Sequence, residues 1–81
     1  MSSHVDKARS EIEAGKYKAA VKHLWKVQEE VLNGGHRELA PQLLELATVV
    51  QEHSDGRLHE EADMLVMYGR SGMAPSASQA S

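Results

Sequence analysis

Five histidines in 81 residues, with no cysteine beside them, are the side chains here most able to do chemistry. His59 and Asp63 stand four apart, so a helix would put both on one face, with His53 just before them. Three or four such donors converging at about 2 Å would hold a transition metal. The chain has no HExxH, no paired CxxC and no Glu-x-x-His repeated on two helices. The simpler expectation is that His53 caps the negative end of a helix and the other histidines are solvated. Glu60, Glu61 or Asp63 beside a histidine could serve general acid–base chemistry. Adjacent carboxylates at a helix start, however, equally complement its positive end. The serines fall mostly at helix caps or in the C-terminal tail, with no Ser/His/Asp arrangement. Gly34-Gly35 lacks the flanking strand and the Lys-Ser/Thr of a phosphate loop. The expectation is no catalytic residue, no metal site and no cofactor.

A second set of residues suits recognition. Trp25 is the only tryptophan and phenylalanine is absent. Such a residue is expected in the core, here between the second and third helices, or as an anchor at an interface. Met64 and Met67 lie beside the core face of the fourth helix, where thioethers either fill gaps or serve adaptable helix binding. The candidate interface is Trp25, Leu32, Ala40, Leu44, Val49, Met64 and Met67.

Four helices must position these groups. Ser3-His4-Val5-Asp6 resembles a capping box and opens a first helix over about residues 4–14. Val5, Ala8 and Ile12 form its thin apolar stripe, with Arg9 and Glu13 on the wet face. Gly15 ends it. The second helix runs from Tyr17 to about Leu32, with Ala20, Val21 and Leu24 inward, while Lys18, Lys22 and Lys26 line a solvated side that could take an acidic partner. Asn33-Gly34-Gly35 stops it. The third helix starts at residue 37 or 38, because Pro41 is tolerated only in a first turn. It is apolar around most of its circumference, so it is expected at the centre of the fold or against another subunit. The fourth helix covers about Arg57 to Tyr68, with Gly69 as its exit. No alternating apolar run marks a strand, so the class is all-α.

Gly15-x-Tyr17-x-x-Ala20 followed by Leu24 resembles the turn and second helix of a tetratricopeptide repeat. It is also similar to the small helical bundle of MIT domains. The repeat's first-helix Trp, Leu and Tyr would fall on His4, Lys7 and Glu11, and its terminal proline is missing. A shift of about 34 residues sends Gly15 to Val49, whereas a shift of 41 pairs Gly15 with Gly56, Tyr17 with Leu58, Val21 with Ala62, Leu24 with Leu65 and Val5 with Leu46. The resemblance implies a four-helix bundle of two stacked antiparallel hairpins that binds peptide segments.

Length allows one domain, expected over residues 1–70, with a disordered Ser/Ala-rich tail over 71–81. A core this small supplies about 3–5 kcal/mol and no disulfide can reinforce it, so regular packing or association is expected. Net charge is −3, with +2 over residues 1–37 and −5 over 38–81. That balance argues against nucleic acid as a partner. No run of about 18 apolar residues could span a bilayer, and the first residues lack a secretory leader pattern, so the expected location is cytoplasmic. The function expected is a non-enzymatic protein–protein interaction module, and a homodimer through the third helix. The alternative is a metal- or small-molecule-binding sensor using His and Met side chains.

Overall fold

A computed structural model describes residues 3–73. It contains α1 (Ser3–Glu13), α2 (Tyr17–Leu32), a single 3-10 turn (Arg37–Leu39), α3 (Ala40–Glu52) and α4 (Gly56–Met73). Among the described residues there is no strand, and the all-α expectation holds.

The first corner is built by Gly15. Its φ of +79° places it in the left-handed region, where a Cβ is costly. The Gly15 amide donates to the Ile12 carbonyl (3.0 Å) and the Lys16 amide to that of Glu11 (2.7 Å). Those two bonds make a Schellman ending for α1 and return the chain at once into α2.

The third helix begins later than its pattern suggests, and Pro41 is the reason. Pro41 has no N–H, so the Arg37 carbonyl cannot close an α-helical bond four residues on. The Ala40 amide takes that carbonyl instead, three residues away, and the entry tightens into a 3-10 turn. Leu43, Leu46, Ala47 and Val50 then point inward. Helix α3 packs heavily on α4 and also touches α1 and α2. Its wide apolar surface is therefore satisfied largely within one chain.

The fourth helix corrects the sequence reading. It does not exit at Gly69 but continues through Met73, so Ser71–Met73 are helical rather than tail. The rest of the expected tail, 74–81, lies outside the described residues. A Cβ on Gly69 would stand 3.0 Å from both Cα and Cβ of Leu44, and one on Gly72 would stand 3.1 Å from the Ala40 Cβ. The two glycines thus form a seam along which α4 rests directly on the backbone of α3. Close packing outweighs the helix-propensity cost of glycine, about 1 kcal/mol per residue.

The 41-residue pairing has a physical counterpart. Gly15 and Gly56 both turn with positive φ, +79° and +61°. Leu24 and Leu65 are both fully buried, Val21 and Ala62 are both buried, and so are Val5 and Leu46. Tyr17 and Leu58 both pack half-buried at the margin of the core. Helix α1 packs on α2, and α2 also touches α3 and α4, giving a slab of 40 × 27 × 16 Å. No helix among the described residues is long and apolar enough to cross a membrane.

Candidate functional site

The histidines are spread around the molecule and engaged locally. His53 Nδ1–H donates to the Val49 carbonyl at 2.9 Å and its ring stacks on Tyr17, with centroids 5.6 Å apart. The Val50 carbonyl accepts from the His53 amide (3.1 Å) and the Ser54 hydroxyl (2.5 Å). His59, from the first turn of α4, reaches back to the Gln51 carbonyl at 3.0 Å. Three carbonyls that α3 leaves open at its C-terminus are closed by this group. Asp63, the imagined metal partner of His59, accepts instead from the Gln51 amide group at 2.7 Å.

Two histidines expected to be solvated are half-buried. His23 on α2 shares a hydrogen bond of 2.7 Å with Glu11 on α1, and its ring stacks on His4 at 5.9 Å. They staple α1 to α2. Arg9 and Glu13 are both exposed, as expected, and Arg9 also meets the exposed Glu45 of α3 at 3.8 Å. That exposed pair contributes at most a few tenths of a kcal/mol to stability. Among the described residues no three His, Asp or Glu side chains converge on a point where a metal could sit.

A polar hollow of about 420 Å³ lies where α1 meets the start of α3, lined by Asp6, Arg9, Glu30, His36, Glu38 and Gln42 among others. His36 and Glu38, two residues apart in its lining, pair at 3.0 Å. Glu38 titrates below the usual carboxylate range, first because a backbone amide donates to it and then because His36 does.

The other face is chemically different. Helices α2 and α4 run side by side in the same direction and leave two hollows, of about 300 and 450 Å³. Lys18, Val21 and Lys22 of α2 face Arg57, Leu58 and Glu61 of α4 around the first. Val31 and Leu32 face Tyr68 and Gly72 around the second, with Arg37 at its rim. Between them Trp25 joins the helices. Its indole N–H donates to Glu61 Oε1 at 3.2 Å, and its ring meets Tyr68 edge-on at 5.8 Å. Met64, Met67 and Tyr68 follow at i, i+3 and i+4 on α4. They are 43, 61 and 44% exposed, and Leu32 is 72% exposed.

Two of the seven residues predicted to form an interface, Trp25 and Leu32, therefore lie on this face, and Met64 and Met67 are exposed on α4 within a turn of Tyr68. The other three sit on α3. Ala40 is fully buried against the Gly72 seam, which corrects its assignment to an interface. Leu44 and Val49 are half-buried, with the Leu44 backbone beneath Gly69. Trp25 is corrected too: its ring and N–H partners are on α4, not α3. Tyr68, Arg57 and Arg37 were missed as surface residues. The signal for Tyr68 was its spacing from Met64 and Glu61, at i+4 and i+7 on one helix.

No family model, curated protein or solved structure matches this chain. What it does is read from its own side chains.

Proposed function

We propose that the chain is a helical interaction module, two antiparallel hairpins stacked one on the other, that docks another protein on its α2–α4 face. The hairpin reading is supported by the packing of α1 on α2 and α3 on α4, and by the matched burial 41 residues apart. The docking reading is carried by one observation. The large apolar side chains left most exposed are Leu32, Met64, Met67 and Tyr68; of these, Tyr68 meets the half-buried Trp25 edge-on and shares one hollow with Leu32, and the two methionines lie within a turn of Tyr68 on α4.

Contiguous exposed apolar surface marks interaction sites, and Trp, Tyr and Arg are the residue types richest at interface hot spots. The methionines let such a surface adapt to its partner. Self-association is assigned to this face rather than to α3, whose apolar residues are largely spent inside the chain.

Site-specific photo-crosslinking tests the reading. A benzoylphenylalanine at Leu32 should give discrete protein adducts in native extracts, and one at Gln42, in the polar hollow, should give none. Equal yields from both positions would remove the distinction between the two faces.

A further inference from the structure

Resting on that docking reading, we infer that the occupant of the α2–α4 face is an acidic amphipathic helix. The chain carries a net charge of −3. Yet Lys18, Lys22 and Arg57 line one hollow and Arg37 the other, four cations against two carboxylates: Glu61 in the first hollow, and Glu29, which shares the α2 stripe of Lys22, Trp25 and Leu32. Glu61 already accepts the Trp25 indole N–H. Among the described residues none of the four cations forms an ion pair, because the ion pairs present involve Arg9, His23 and His36. In a chain with more acids than bases, this face is electropositive.

The floor between the cations is mainly apolar: Val21 and Leu58 at one end, Trp25 in the middle, Val31, Tyr68 and Leu32 at the other, where Gln28 and Ser71 add the polar groups. Lys22 and Leu32 are ten residues apart on α2, about 15 Å by helix rise. A partner helix would lay about three turns of its apolar stripe along that length, in the usual groove-binding pattern. Its Asp and Glu side chains would reach Lys18, Lys22 and Arg57 at one end and Arg37 at the other. Burying the stripe supplies affinity. The charges supply orientation, faster encounter and rejection of basic helices.

A displayed library of amphipathic helices about 16 residues long, with a fixed leucine stripe and polar flanks drawn from Asp, Glu, Asn, Gln, Lys and Arg, is sorted on the full chain. Enrichment of Asp and Glu in the flanks is expected. The enriched peptides, made synthetically, should bind at least about tenfold more weakly to Lys18→Glu/Lys22→Glu, and more weakly at about 0.5 M than at 0.05 M salt. Both lysines are exposed, so the variant should melt with the parent. If it does not, Lys18→Gln/Lys22→Gln gives the same readout. Neutral or basic flanks, or indifference to the lysine variants, would overturn the acidic partner while binding still lost in Leu32→Glu keeps the docking face. No enrichment, or binding indifferent to Leu32→Glu as well, would overturn both.

Discussion

Leu43→Ala should leave most of the chain unfolded at 25 °C. Leu43 is fully buried on α3, which like α2 touches all three other helices and packs most heavily on α4. Truncating such a leucine removes its transfer free energy and leaves a cavity, at a cost of about 2–5 kcal/mol. A single core of this size provides only about 3–5 kcal/mol, and no cysteine is present to reinforce it. The loss is comparable to the whole stability. Far-ultraviolet circular dichroism should show most of the helix gone, or a urea midpoint near zero. A midpoint lowered by less than the equivalent of about 1 kcal/mol would mean that α3 is not the packing centre.

Gly69→Val should also be severe, and it separates two meanings of the same glycine. A glycine inside a helix with open space beside it would gain from substitution, since alanine is better there by about 1 kcal/mol. Gly69 instead lies where a Cβ would meet the Leu44 backbone at 3.0 Å, so valine's branched side chain must push α4 off α3. Overpacking of this kind costs about 1–3 kcal/mol, and separating the helices would also loosen Ala40 and Leu44. Urea unfolding should place Gly69→Val at least about 2 kcal/mol below the parent, with Gly69→Ala lying between them. A Gly69→Ala variant more stable than the parent would remove the seam.

The fold was legible where the signal was local. The limits of α2, the stop at Asn33-Gly34-Gly35 and the role of Gly15 follow from helical spacing and backbone sterics. Pro41 bounded the start of α3 for the reason the structure displays, a missing amide. Gly69 misled because a glycine's local preference and its use as a spacer between helices look alike in one dimension. Only the position of Leu44 across the seam distinguishes them.

The candidate face was half legible. Trp25, Leu32, Met64 and Met67 stood out by type, but Ala40 could not be told from a surface alanine before Gly72 was known to cover it. The α3 apolar surplus suggested a second subunit because apolarity says that a helix is covered, not by what. Arg57 and Arg37 join Lys18 and Lys22 only through the side-by-side packing of α2 and α4, which no spacing in the chain encodes.

The claim that α2 and α4 carry the docking surface is tested most directly by nitrogen–proton correlation spectra of the labelled chain, titrated with an enriched acidic helix. Trp25 supplies the only indole N–H in the molecule, at the centre of the face. This resonance should move or broaden together with the amides around Lys22, Leu32, Met64 and Tyr68, while those around Asp6, His36 and Gln42 stay in place. Shifts confined to that second group, with the indole unmoved, would contradict it.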